Sequence, residues 1–279
     1  MAFTREPETA FAGSYYAEET AMAESSSFST FAGMSVTPQI QASSSDIQVQ
    51  GLLLPAGVMR GAESSVWQGQ GYACYEDMQF FESVVSHTAS TPTTYTLSSG
   101  KLKSINCVVS GFSLQGDTEK IQTGVNFVGK KVQEQSSTIT PTVIQPTVYD
   151  PMKTTVSLGS GEPSKVNAWS VEVQGLWNIA NYIDDTKQNL IQTMGSANFS
   201  LTLPLESPAL TYLSEKGKKT CTITNETDTN LGFTISFDFY WQAPDSPSDT
   251  NGLWTINLKG TIINKSPSSI TITATNSQS

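Results

Sequence analysis

Between residues 101 and 133 the chain alternates apolar and polar side chains, slips phase once, and alternates again. A period of two belongs to a strand, and a phase slip inside it needs an inserted residue. On the first arm Ile105, Cys107 and Val109 fall on one face, and Ser104, Asn106 and Ser110 on the other. Past Gly111 the apolar face passes to Phe112 and Leu114, the polar one to Ser113 and Gln115. A glycine at the slip predicts a β-bulge there. Residues 116–119 read as a turn. The return arm sets Ile121, Val125 and Phe127 against Lys120, Gln122 and Asn126. The expectation is a hairpin with one face for a core and one for water.

The pattern recurs. Val171, Val173 and Gly175 lie over Cys107, Val109 and Gly111, and Ala197 and Phe199 over Val125 and Phe127. This is either an internal repeat or two unrelated half-buried hairpins of one sandwich. The last third alternates most strongly, with Phe233, Ile235, Phe237, Phe239 and Trp241 against Thr234, Ser236, Asp238 and Tyr240. Trp254, Ile256 and Leu258 follow, then Ile270 and Ile272. Strands that each bury one face predict a mainly β protein, an antiparallel sandwich or barrel with one or two short helices.

One helix stands out. Over residues 71–86, Tyr75, Met78, Phe81 and Val85 recur at steps of three and four, with Glu76, Asp77 and Glu82 between them. Short helices are also expected within 178–192 and 209–218. Ile47 and Val49 begin an alternating strand that stops at Pro55. Residues 1–45 form a polar, small-residue arm with isolated anchors such as Tyr15, Phe28, Phe31 and Met34. It is either disordered or ordered against a neighbouring subunit. Residues 136–167, with Pro141, Pro146, Pro151 and Pro163, read as a contact arm or a plain linker. The main β domain is expected to span 46–279.

The net charge of −10, from 15 basic and 25 acidic residues, argues against a conventional nucleic-acid binder, which carries a basic face. Only 14% of residues are charged, so the surface is polar but largely uncharged. The acidity serves solubility or repels polyanions. Cys74, Cys107 and Cys221 lack metal-ligand spacing and are odd in number, so buried free thiols in a reducing compartment are expected. Residues 1–13 lack the apolar core of a secretory signal, and no apolar run approaches the roughly 18 residues of a membrane helix. The expectation is a soluble chain made in a cytoplasm.

Catalytic signatures are sparse. His87 is the one histidine, and a helix C-terminus explains it. Asp184-Asp185 lies in a polar loop without further ligands. No phosphate-binding loop or nucleophile elbow occurs. Trp67, Trp169, Trp177, Trp241 and Trp254 could form a sugar platform but mostly sit on apolar strand faces, as core residues do. Asn198 and Asn225 head glycosylation sequons. No enzyme, cofactor or metal is expected.

Three features come in order. Val58-Met59-Arg60-Gly61 places an arginine in a strand. Residues 71–86 form a helix rich in aromatics and acids. Residues 102–131 form a strand–bulge–strand hairpin whose return arm, Val125-Asn126-Phe127-Val128-Gly129-Lys130, ends at Gly-Lys. This layout resembles the tail tube (major tail) proteins of long-tailed bacteriophages. The later hairpin, 169–203, and the final strands, 233–272, fit the rest of such a protein.

The resemblance implies a structural virion protein, assembled in the host cytoplasm, whose hexameric rings stack into a tail tube that conducts DNA into the host. Long hairpins of neighbouring subunits join edge to edge into a closed multi-subunit β-barrel. Partners are copies of itself, the tape measure, terminator, and tip or baseplate proteins, and DNA passing without specific binding. The polar hairpin face lines the lumen, through Ser104, Asn106, Ser113, Gln115, Lys120, Gln122, Asn126, Ser170, Glu172, Gln174, Asn198, Ser200 and Thr202. The arm 1–45 and the loop 136–167 make ring-to-ring contacts. The alternative is a β-sandwich adhesin or carbohydrate-binding module, monomeric, with exposed tryptophans.

Overall fold

The structure, a computed structural model, describes residues 29–47, 57–86, 94–99, 101–129, 133–134, 141–159, 166–180, 189–192, 195–205, 212, 217–250, 253–263 and 270–276. Its first strands are β1 (Met34–Ile47), β2 (Gly57–Tyr72), β3 (Tyr95–Ser99), β4 (Leu102–Asp117), β5 (Ile121–Gly129) and β6 (Gln133–Glu134), with helix α1 (Tyr75–Ser86) after β2. Next come β7 (Thr154–Leu158), β8 (Ala168–Gln174), β9 (Trp177–Ala180), β10 (Asn189–Gln192) and β11 (Ser196–Pro204). The chain ends with β12 (Lys218–Asp228), β13 (Leu231–Trp241), β14 (Ser248–Thr250), β15 (Leu253–Ile262) and β16 (Ile270–Asn276).

All named strand pairs are antiparallel, and fourteen strands join in one sheet along the path β1-β2-β5-β4-β8-β11-β15-β13-β12-β7. The sheet folds over between β15 and β13, where Phe239, Tyr240 and Trp241 pair with Ile262, Thr261 and Gly260. The second half thereby lies over the first. Trp169 of β8 meets Phe233 of β13, and Phe199 of β11 meets Phe237, Phe239 and Trp241. Apolar faces of both halves close on one core in which Trp67, Phe127, Val171, Leu201 and Phe239 are buried. The path ends at β1 and β7 without joining them, so among the described residues hydrogen bonds do not close the sheet.

α1 covers what the second half leaves open. Met78 and Phe81 are buried, Phe81 packs on Phe112, and Phe80 on Phe127. Its first-turn acids, favoured at a helix N-terminus, bind the chain on both sides. Asp77 accepts the amides of Ala32 and Gly33 at 3.0 and 2.8 Å. Glu76 accepts both the amide and the hydroxyl of Thr147. Burial pushes the Glu76 carboxyl up, but the two Thr147 hydrogen bonds outweigh it and hold it below the ordinary range.

The hairpin of residues 101–133 is present as β4 and β5. Its pairing shifts between Val109 and Gly111, so Ser110 is the inserted residue of the expected bulge. The turn is held by Asp117, whose carboxylate accepts the amides of Glu119 and Lys120. A second irregularity was not expected. Tyr95 and Leu97 of β3 face Cys107 and Ser104, which leaves one extra residue on β4, and Asn106 sits there at φ 57°.

Other expectations change. The arm 1–45 ends inside β1, and residues 30–33 dock on the chain's own α1 and on Thr142. Phe31 packs on Phe80 and Phe127. Ile47 ends a strand rather than beginning one; the rest of the predicted run to Leu54 lies outside the described residues. β2 continues through Gly71 and Tyr72, so the helix starts only at Tyr75. Within 136–167 the described part carries a 3-10 turn (Pro151–Lys153) and β7. Of the stretch 178–192, where a short helix was expected, the described residues at either end form the β9–β10 pair, and 181–188 lie outside the described residues. That of 209–218 lies almost wholly outside the described residues, as do His87 and Asp184-Asp185. The two hairpins are neighbours, with β4 paired to β8. A repeat in register would put Val173 opposite Phe199, but Val173 pairs with Ala197 and Phe199 with Val171. The slide of two residues keeps each face while breaking the repeat.

Candidate assembly surface

Directly paired residues of an antiparallel sheet share a face, so the register assembles the surface. Ser35, Gln70, Gly124, Ser113, Glu172, Asn198 and Thr261 stand side by side across β1, β2, β5, β4, β8, β11 and β15. Two residues along, Tyr72, Gln122, Gln115, Ser170, Ser200 and Lys259 form a second row. The row between them, Gly71, Thr123, Leu114, Val171, Phe199 and Gly260, faces the core. At Gly260 an added Cβ would lie 2.1 Å from the Phe199 ring, so the ring needs a glycine bed there.

Ten of the thirteen expected lumen residues therefore share one solvent-facing surface: Ser113, Gln115, Gln122, Asn126, Ser170, Glu172, Gln174, Asn198, Ser200 and Thr202. Lys120 lies at the turn, beside the surface. Ser104 and Asn106 are corrected: they are 0% and 5% exposed, because the extra residue at Asn106 turns this part of β4 inward. The surface is also wider than expected. Gln68 and Gln70 extend it on β2, and Asn257, Lys259 and Thr261 on β15. Clean alternation of Ile256, Leu258 and Ile262 with these three was the available signal.

The face is polar and cross-linked by side-chain hydrogen bonds. Ser170 and Ser200 share a hydrogen bond of 2.7 Å, Gln115 donates to Gln122, and Gln39 donates to Gln68. Gln174 donates to Glu172. Lys259 is matched by Asp245, whose carboxyl that hydrogen bond holds below the usual range. Such a face offers phosphate little fixed positive charge.

The sheet bearing it has unlike sides. β15 is already paired outward by β14 and β13, and residues 242 and 245 donate to Lys259 and Asn257. β1 pairs only with β2 among the described residues. From Gly57 to Ser64, β2 in turn pairs only with β1 among them, so the hairpin runs on as a two-stranded ribbon.

Four of the five tryptophans are covered at least in part, but Trp254 is 55% exposed, contrary to its expected core role. Asn225 is 1% exposed and donates to Asp150 and Thr154, which leaves that sequon inaccessible as folded. Cys74, Cys107 and Cys221 are buried free thiols, each pushed up to about 12 by burial. Among the described residues no group of three or more His, Cys, Asp or Glu is placed to hold a metal. No helix there is long and apolar enough to cross a membrane. No protein-family model matches the chain, and a search of curated proteins finds no match either.

Proposed function

We propose that this chain is a structural subunit that assembles with copies of itself into stacked rings around a channel, as the tail tube proteins it resembles do. The observation that carries this reading is the broad outer face of β5, β4, β8 and β11, composed of Ser, Thr, Asn and Gln with Glu172 as its one carboxylate among the ten shared positions. A polyanion moving past such a wall meets neither a lysine row that would hold it nor a dense acidic field that would block it. The open edge of β1 also supports the reading. A long, nearly uncharged edge invites another strand, and assembly into a barrel wall removes that liability.

On this reading the partners are other copies of the chain and, in an assembled tail, the tape measure, terminator and tip or baseplate proteins, and DNA is a passing cargo. The test is negative-stain electron microscopy of the purified chain together with its mass by light scattering. Rings or hollow tubes are expected. A monomer at every concentration, with no ring even on addition of tail-tip complexes, would overturn the assignment.

A further inference from the structure

Leu253 and Trp254 open β15 at 47% and 55% exposed, and Tyr72 and Val148 are 59% and 57% exposed. The register places both pairs at the same end of the polar face. Tyr72 closes β2 opposite Gln122, and the next amide, of Ala73, donates to the Ile121 carbonyl beside the β4–β5 turn. Val148 is bridged to Cys74, two residues past Tyr72. On the other side Asp117 of that turn pairs with Ala168, Ala168 with Thr202, and Thr202 with Asn257. Just beyond, the Trp254 carbonyl accepts the Leu205 amide. Four strands lie between β2 and β15, so about 24 Å of sheet separates the pairs at roughly 4.8 Å per strand. One copy cannot bring them together.

We propose that these two margins meet between copies, Leu253 and Trp254 of one docking on Tyr72 and Val148 of the next. The proposal rests on the assembly reading and names a contact that reading leaves open. On the β15 side the contact falls to side chains. There the chain from Gln242 to Asp249 runs along β15, its amides at 242 and 245 donate to Lys259 and Asn257, and Pro244 and Pro247 have none to offer. Such a margin refuses an added strand. What it presents is an exposed indole beside a leucine, the kind of aromatic anchor that carries binding energy between proteins. Tyr72 suits the facing position, with an apolar ring and a hydroxyl at its tip. Continuity makes the occupant a second copy. The polar rows end at Lys259 and Thr261 on β15 and begin at Ser35 on β1 and Tyr72 on β2, so a neighbour set beside β15 extends the same face.

The experiment uses the full chain with one introduced cysteine at a time, Val148→Cys or Leu253→Cys, so that Tyr72 and Trp254 stay in place. Each variant is checked for its wild-type melting curve, then treated with a short bifunctional maleimide, alone and as a mixture of the two. The native thiols are buried and react little. Linked pairs are expected only in the mixture. In parallel, light scattering follows association of Trp254→Ala and Trp254→Phe. Trp254→Ala should raise the concentration needed for association roughly tenfold or more, as loss of an aromatic anchor does, and Trp254→Phe should recover part of that. Links formed within either variant alone would join like margins and overturn the proposal. Rings that form while the mixture gives no link, or while Trp254→Ala associates as the wild type does, overturn this contact and leave the assembly reading standing. No association at any concentration overturns both.

Discussion

Asp77 is 2% exposed and accepts two backbone amides from the segment that enters β1. Replacing it with alanine strands both donors, at about 1–3 kcal/mol for each buried unsatisfied group. Hydrogen exchange at Ala32 and Gly33 should accelerate in Asp77→Ala well before global unfolding. Equal protection in both proteins would show that the carboxylate does not hold the segment. Its neighbour Glu76 adds a pH dependence. The carboxyl lies below its ordinary range, so its contribution is present above the unfolded value and fades as pH falls through the folded one. Exchange at Thr147 should therefore rise on acidification below the normal carboxylate range. At Gly260 the prediction is steric. Gly260→Ala forces a methyl into the Phe199 ring and should destabilise the fold by about 1–3 kcal/mol in urea unfolding.

At the scale of elements, legibility followed chemistry. The bulge at Ser110 was readable because a glycine marks the slip. The one at Asn106 was not, since asparagine tolerates the left-handed region without the composition changing, and it alone misplaced Ser104 and Asn106. β1 was read as arm because an edge strand buries little, and its Ser- and Gln-rich sequence resembles loop. The apolar faces of β4, β5, β8, β11 and β13 were legible because a strand pressed on a core must alternate. The position of β1 changes what truncation should do. Removing residues 1–28 leaves every described contact in place. Removing 1–40 deletes the Phe31 anchor and seven residues of β1, from Met34 to Ile40, and should lower the melting temperature sharply. Equal melting of the two truncations would show that β1 contributes little.

For the whole molecule, the decisive property of the polar face is how little fixed positive charge it carries, Lys259 being matched by Asp245. Changing Gln122, Asn126, Glu172 and Asn198 to arginine puts four cations on β5, β8 and β11 without touching the core. If the chain forms the proposed tube, assembly should persist while DNA release from assembled particles slows, and the slowing should shrink as salt rises. Release at the wild-type rate would place this face elsewhere than the channel wall.

Among the described residues, the half of the sheet that bears the polar face is open along β1 and folded shut along β15. Two open sides meeting face each other across a twofold axis and stop at a pair. An open side meeting a shut one leaves a fresh open side behind, so the contact repeats until it closes on itself. Whatever closes that way has every subunit facing the same direction around the circle, and therefore a front that differs from its back. An object built from it would grow and terminate differently at its two ends, with no further component needed to tell them apart.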